Sequence, residues 1–134
     1  MKRGSRTLAQ QLGALKSAYP HARVRFSRGE LLCHLELQPT PLSSTYSVEI
    51  RYRLGSRPQI TVPGGLEVPP GSYLPHVFPG ERLCLCYPNQ WDSGLLIAHT
   101  TVPWTMEWLL YYELWKITGE WLGGGHEPTT KQEN

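Results

Sequence analysis

The sequence predicts an α+β fold with an N-terminal helix, a four-stranded antiparallel meander, a long proline-rich loop and a C-terminal helix. The hydrophobic period changes from helical spacing to two near residue 23 and returns to helical spacing near residue 102. The 134 residues include 13 glycines and 12 prolines, which indicates many turns and weighs against an all-helical bundle. Hydrophobic residues make up 40% and charged residues 18%, so the chain is too apolar to be disordered.

The first element is an amphipathic helix predicted over residues 5–18. Ser5 is the expected N-cap and Pro20 ends the helix. A helix this short is marginal alone, so it must pack on another element. Its apolar positions recur at helical spacing: Leu8, Leu12, Leu15 and Tyr19.

Four strands follow, and we expect them to form the meander because their connections are short. The outward positions carry Arg23, Arg25, Arg51 and Arg53. The inward positions of the four strands are Val24 and Phe26, then Leu31, Cys33, Leu35 and Leu37, then Val48, Ile50, Tyr52 and Leu54, and last Ile60 and Val62.

Residues 63–101 form a long connection rich in proline, and residues 102–118 return to a helix. A connection this long inside one domain is usually functional. Thr100 or Thr101 can cap the helix, Pro103 suits its first turn and Gly119 ends it. Aromatic residues cover much of its circumference, which predicts burial. We expect one domain over residues 1–122 and a flexible tail over residues 123–134.

Charge is distributed unevenly along the chain. Residues 1–60 carry ten Lys/Arg and three acids, whereas residues 61–134 carry three Lys/Arg and eight acids. The basic half is either a solvated sheet face or a surface for nucleic acid, and the sheet face is favoured.

A cytoplasmic location is expected. The apolar region 102–115 is interrupted by Glu107 and Glu113, and it is too short to cross a bilayer. Gln10 and Gln11 fall where a signal peptide needs apolar residues. The odd number of three cysteines fits a reducing compartment better than a disulfide framework.

The long connection holds the residues that could carry chemistry. Cys84 and Cys86 lie two residues apart, and His76 precedes Cys84 by eight residues. A cysteine thiolate can accept an acyl group, and an imidazole can stabilise the oxyanion or act as a base. Alternatively, Cys84 is a small buried apolar residue. With His99 the same residues offer four soft ligands, but C-x-C is not the usual structural zinc spacing. We therefore expect neither a metal nor another cofactor.

Two segments resemble known proteins. The run Leu74-Pro75-His76, then Val77-Phe78-Pro79 and Leu83-Cys84-Leu85, is similar to the loop of the ubiquitin-conjugating enzymes. The run PWTMEWLLYYELWKITGEWLGGG, residues 103–125, resembles small bacterial conjugating-enzyme-like proteins of antiphage (CBASS) operons, which are built around a cyclic-oligonucleotide synthase.

The resemblance implies a ubiquitin-conjugating-enzyme-like fold with an active-site loop and assigns roles to residues. Cys84 matches the thioester-forming cysteine, and Trp91 matches a tryptophan of the same loop. His76 stands where that family has an asparagine. Cys86 is a secondary acyl acceptor or a bystander, and Asp92 is the nearest acid that could orient an incoming lysine.

By this resemblance the chain is a transferase that carries a partner's C-terminus as a thioester on Cys84 and passes it to an amine. The implied acyl donor is the cyclic-oligonucleotide synthase. The sequence has no glycine-rich phosphate loop after a strand, so a separate activating enzyme is a further candidate partner. Two alternatives remain open: a catalytically inactive binding module of the same fold, and nucleic-acid binding through the basic sheet.

Overall fold

The computed structural model describes residues 4–85 and 88–123. Its two helices and its four-stranded sheet contribute to one hydrophobic core, as the change of hydrophobic period predicted. The elements are α1 (Leu8–Ala18), β1 (Arg23–Ser27), β2 (Glu30–Leu37), β3 (Tyr46–Arg53), β4 (Gln59–Thr61), β5 (Val77–Phe78), β6 (Arg82–Leu83) and α2 (Thr101–Thr118), with short 3-10 turns at Pro88–Gln90 and Ile97–His99.

The sheet has the order β1-β2-β3-β4, and every neighbouring pair is antiparallel. This confirms the predicted meander. The central register pairs Cys33 with Ile50 and Ile50 with Ile60, and all three side chains are buried. The sheet therefore supplies one side of the core from its two middle strands.

Three strand positions differ from the predicted alternation. Phe26 was expected inside but is exposed, because β1 is an edge strand with little cover. Leu54 is also exposed, because β3 ends at Arg53 and the chain turns there. Leu32 alternates with the predicted inward positions of β2 and was therefore expected outside, but it is buried; its register partners on that face are Arg25 and Arg51, whose long side chains can cover it.

The start of α1 differs from the expected one. The N-cap is Thr7 rather than Ser5: its hydroxyl accepts a hydrogen bond from the Gln10 backbone, and the Gln10 side chain accepts one from the Thr7 backbone. This reciprocal capping box satisfies two donors that the first turn otherwise leaves unpaired. Ser5 instead pairs with Ser93, 2.7 Å away.

Helix α1 fixes the chain segment that precedes α2. Gln11 is fully buried, and its side chain donates to the Leu95 carbonyl at 2.8 Å and accepts from the Ile97 backbone at 2.9 Å. The Arg6 backbone adds a bond to the Ser93 carbonyl. A buried amide that satisfies two backbone groups gives this loop a defined position.

The connection 63–101 is more ordered than a plain loop. It contains the antiparallel hairpin β5–β6, in which Val77 pairs with Leu83 and Phe78 pairs with Arg82. The sequence analysis did not predict this hairpin. The reversal uses left-handed backbone at Gly80 and at Glu81. The hairpin packs against the core through Leu83, which is buried.

Helix α2 begins and ends as predicted. Thr100 is its N-cap residue, although the Thr100 hydroxyl donates to the Leu96 carbonyl rather than capping the helix. Gly119 has a φ of 80°, and its N–H bonds to the Trp115 carbonyl, which is an αL termination. Among the helices in the described ranges, none combines the length and the hydropathy that a membrane crossing requires. Of the tail expected over residues 123–134, all but Gly123 lies outside the described residues.

Candidate functional site

The hairpin joins His76 to Cys84. The Cys84 backbone N–H donates to the His76 carbonyl at 3.0 Å, which continues the β5–β6 ladder by one bond. The same carbonyl accepts the indole N–H of Trp108, also at 3.0 Å. The structure therefore brings together the two residues that the resemblance assigned to catalysis, and α2 fixes their shared backbone.

The backbone of His76 is left-handed, with a φ of 53°. Most side chains avoid this conformation, but asparagine, aspartate and histidine adopt it several times more often than other residues. This preference gives a physical reason for histidine at a position where the resembled family has asparagine. The imidazole is buried and stacks on Trp121, with ring centroids 4.8 Å apart. Trp121 follows the end of α2, so the chain beyond that helix covers His76.

Cys84 is 5% exposed. Its neighbours Leu83 and Leu85 both line a cavity, which we describe below. Cys33, which lies in β2, is fully buried, and burial raises the pKa of its thiol to about 11. A thiol with that pKa is almost entirely protonated near pH 7 and is a poor nucleophile. Of the two cysteines in the described ranges, Cys84 is thus the better candidate for covalent chemistry.

The raised pKa of Cys33 predicts a loss of stability in alkali. A folded-state pKa above the unfolded one favours folding below about pH 9, and this contribution disappears as the pH rises through about 11. The loss amounts to about 3 kcal/mol for a difference of about two pKa units. Urea unfolding between pH 8 and 11 measures it.

Cys33→Ala is the control, because it removes the thiol and leaves the buried tyrosines. Burial also raises the pKa of Tyr52 and of Tyr112, so some alkaline loss persists in the variant. We expect the pH slope to become shallower. An unchanged slope in Cys33→Ala would contradict the assignment of this loss to the buried thiol.

Trp91 lies beside the hairpin, 9% exposed, with its ring 5.7 Å from that of Tyr52 in an edge-on contact. Within the described residues, neither the Trp91 indole N–H nor the Tyr52 hydroxyl has a hydrogen-bond partner. Asp92 is exposed, and its carboxylate accepts a bond from the Gly94 backbone at 2.8 Å. The structure thus shows Trp91 in a packing role and Asp92 forming a turn.

Cys86, predicted as a secondary site, lies outside the described residues. Within residues 4–85 and 88–123, no three His, Cys, Asp or Glu side chains lie together in a way that could hold a metal ion.

A cavity of about 340 Å³ opens between the β3–β4 turn, the hairpin and the start of α2. Its wall includes Leu83 and Leu85, the two residues that flank Cys84. It also includes Phe78 with Arg57 and Arg82, whose guanidinium carbons lie 5.7 and 5.4 Å from the centre of the phenyl ring. We call this the Arg57–Arg82 pocket.

Two of the four outward arginines of the sheet make local contacts. Arg51 pairs with Glu49 at 3.1 Å and with Glu30 at 3.2 Å, and Arg53 donates to the Arg28 carbonyl at 3.0 Å. The two glutamates neutralise part of the basic face, which weighs against a phosphate-binding surface.

The fold and the site define an α+β domain in which a cysteine directly follows the β5–β6 hairpin and lies next to a basic pocket. A model of the family of type II CBASS E2 proteins matches residues 11–128, and the chain therefore belongs to this family. No curated protein matches the chain. The match confirms the resemblance to small CBASS conjugating-enzyme-like proteins and gives the chain an E2-like role, that of a conjugating transferase, in antiphage defence.

Sequence reasoning missed three groups at the site. The Trp108 indole reaches a carbonyl 32 positions away, and helical periodicity could predict only that it is buried. Trp121 lies two residues after the helix-ending Gly119, and nothing in the sequence pattern there indicates a contact with His76. The aromatic–guanidinium cluster of Phe78 joins residues from two separate turns. Proline-rich sequence around such positions gives no periodic pattern.

Proposed function

We propose that this chain carries the C-terminal carboxyl of a partner protein as a thioester on Cys84 and transfers it to an amine. The proposed acyl donor is the cyclic-oligonucleotide synthase of the same CBASS operon. Membership of the family supports an E2-like role in this system. The single observation that carries the proposal is the fixed position of Cys84, whose backbone N–H binds the same His76 carbonyl as the indole of Trp108.

The chemistry needs a donor that is already activated. The sequence has no glycine-rich phosphate loop after a strand, so we expect a separate activating enzyme to deliver the carboxyl as a thioester or an acyl phosphate anhydride. The Cys84 sulfur then forms a bond to the carbonyl carbon, and the bond to the leaving group breaks. Exchange between two thioesters is nearly thermoneutral and transfer from an acyl phosphate is downhill, so either step needs orientation more than acid–base power.

Transfer to the acceptor amine breaks the C–S bond that the first step formed. The amine nitrogen attacks the Cys84 thioester, the C–S bond breaks, and the amine proton leaves with a base or with solvent. His76 is the candidate to donate a hydrogen bond to the oxyanion or to accept that proton. In this structure the His76 ring is held by its stacking contact with Trp121, so we expect it to act on substrate once that contact opens.

The low exposure of Cys84 sets a condition on this mechanism. A thiol that is 5% exposed must become more accessible before a peptide carbonyl can reach it. Trp121 is half-buried and follows the end of α2, and its ring contacts those of His76, Trp108 and Tyr111. We propose that movement of this segment away from His76 opens the approach to the thiol.

The same burial favours a second candidate function, a binding module that keeps the fold without the chemistry. Such a protein would bind its CBASS partner and form no covalent adduct. The two candidates differ in one readout, the presence of a thioester.

Co-expression with the cyclic-oligonucleotide synthase and the other proteins of the operon tests the proposal. We expect a band on a non-reducing denaturing gel at the summed mass of the two chains, and its loss after treatment with a thiol, because thiols cleave thioesters by exchange. Hydroxylamine at neutral pH should also remove the band. A complex that co-purifies but never yields a covalent band would favour the binding module.

A further inference from the structure

The Arg57–Arg82 pocket has a one-sided charge. Among the described residues that line it, two are arginines and none is acidic. Both guanidinium groups lie over the Phe78 ring, 5.7 and 5.4 Å from its centre, which restricts their motion and keeps them within about 11 Å of each other. Arg82 is also tied by a 3.1 Å bond from its Nε to the Pro79 carbonyl. The pocket therefore presents a positioned pair of positive charges.

The rest of the wall is mostly apolar or aromatic, and its polar members, Ser56, Gln59 and Thr101, are uncharged. Ile60 and Leu83 are buried core residues, and Trp91 and Trp104 complete the wall from the loop and from α2. A cavity of about 340 Å³ is large enough for one or two side chains and lies at the lower end of the range for ligand sites. Paired guanidinium groups at the rim of an apolar cavity suit a carboxylate on an aliphatic stem.

The pocket lies close to the candidate nucleophile. Arg82 precedes Cys84 by two residues, so their Cα atoms are about 7 Å apart in extended backbone. An extended peptide advances about 3.3 Å per residue. A chain whose terminal carbonyl reaches Cys84 could therefore place a side chain in the pocket from a position about two to four residues before its end, where the larger numbers allow for the length of the arginine side chain.

We infer that the Arg57–Arg82 pocket selects the acyl donor by binding an acidic side chain in the donor's C-terminal segment. This inference rests on the proposed function and adds a determinant of specificity to it. The charge complementarity of two arginines and one carboxylate supplies the preference, and the apolar wall accommodates the methylene groups of a glutamate.

Synthetic peptides that end in a thioester of 2-mercaptoethanesulfonate test the inference without an activating enzyme. The peptides are identical except for glutamate, glutamine or lysine placed two, three or four residues before a terminal glycine. In the measured step the Cys84 sulfur bonds to the acyl carbon, the bond to the small thiol breaks, and that thiol leaves as a thiolate. Intact-mass measurement gives the rate of acylation.

For the best of the three positions, we expect the glutamate peptide to acylate the protein about tenfold faster than the lysine peptide, with the glutamine peptide between them. The difference should shrink as salt is raised. In the double variant Arg57→Gln, Arg82→Gln, the glutamate peptide should react at the rate of the glutamine peptide. Arg25→Gln, at the opposite edge of the sheet, is the matched control and should keep the preference.

The charge-reversed variant Arg57→Glu, Arg82→Glu should prefer the lysine peptide, a gain that a misfolded protein cannot show. Equal rates for all peptides on the wild-type protein would overturn the inference and leave the thioester chemistry intact. A preference that survives the loss of both arginines would overturn it too. Absence of acylation of Cys84 by every peptide would overturn the proposed function and the inference together.

Discussion

Cys84→Ala should abolish the covalent adduct with the partner protein, and Cys84→Ser should convert it into an adduct that resists thiols. An alanine methyl group cannot accept an acyl group, whereas a serine oxygen forms an ester, which exchanges far more slowly with thiols than a thioester does. Because the change acts on the reacting atom, we expect loss to the limit of detection in Cys84→Ala. Denaturing gels with and without reducing agent measure both outcomes.

Cys33→Ala is the matched control for the loss of a buried thiol. Cys33 lies in the middle of the sheet with a pKa raised by burial to about 11, so its removal should leave the adduct in place. An adduct that persists at wild-type level in Cys84→Ala would contradict the account and would direct attention to Cys86 or to a nonthiol acceptor. Loss of the adduct in Cys33→Ala, with the fold intact, would contradict the assignment of the two cysteines.

Trp108→Ala should have the largest effect on stability. The side chain is 4% exposed, stacks on Tyr112 with ring centroids 5.9 Å apart, and donates to the His76 carbonyl. Truncation of a buried tryptophan costs about 3–5 kcal/mol, and a domain of this size has about 5–15 kcal/mol in total. We expect a large fall in the free energy of unfolding, measured by urea denaturation.

Trp108→Phe separates the hydrogen bond from the packing. Phenylalanine keeps an aromatic ring against Tyr112 but removes the indole N–H, so we expect a smaller loss of about 1–2 kcal/mol. It should also slow the acylation of Cys84, because the His76 carbonyl keeps its bond from Cys84 and loses its anchor to α2.

Trp115→Phe is the comparison for this effect. Trp115 is another buried tryptophan that contacts Tyr112, and it lies seven residues along α2, about 10.5 Å from Trp108. Trp115→Phe should lower the free energy of unfolding, but it should slow the acylation of Cys84 less than Trp108→Phe does. Equal acylation rates in Trp108→Phe and the wild-type protein would contradict the view that this bond positions the hairpin.

Much of the fold follows from hydrophobic period. The alternation over β2 and β3 predicted the two central strands, since a strand buried on one face must carry apolar residues at every second position. The aromatic residues of α2 and its terminal Gly119 predicted a buried helix and its end. Prediction was weaker at the edge strand β1, where Phe26 belongs to the pattern but lacks a neighbour to cover it.

The start of α1 shows how a local signal can be misread. Ser5 and Thr7 are both capping residues, but only Thr7 has a glutamine three positions later to complete the capping box. The buried position of Gln11 could not be predicted, because its two backbone partners lie more than 80 residues away. A polar residue within an amphipathic helix is ordinarily assigned to the solvent face.

The residues of the candidate site could be predicted from the sequence, but the contacts between them could not. The spacing of His76 and Cys84 and the surrounding motif indicated which residues to examine. Their contact requires the β5–β6 hairpin, whose strands of two residues each are too short to show a period. The contacts of Trp108 and Trp121 with His76 depend on where α2 ends against that hairpin, which only the folded chain determines.

The acylation of Cys84 is the central step of the proposed function. Mass spectrometry of the protein co-expressed with its CBASS partners tests this step directly. The intact mass should increase by the mass of the partner less one water, and a peptide map made under acidic, thiol-free conditions should locate the partner's C-terminal residue on Cys84. An unmodified intact mass in the presence of every operon protein, or a modification found only on another residue, would contradict it.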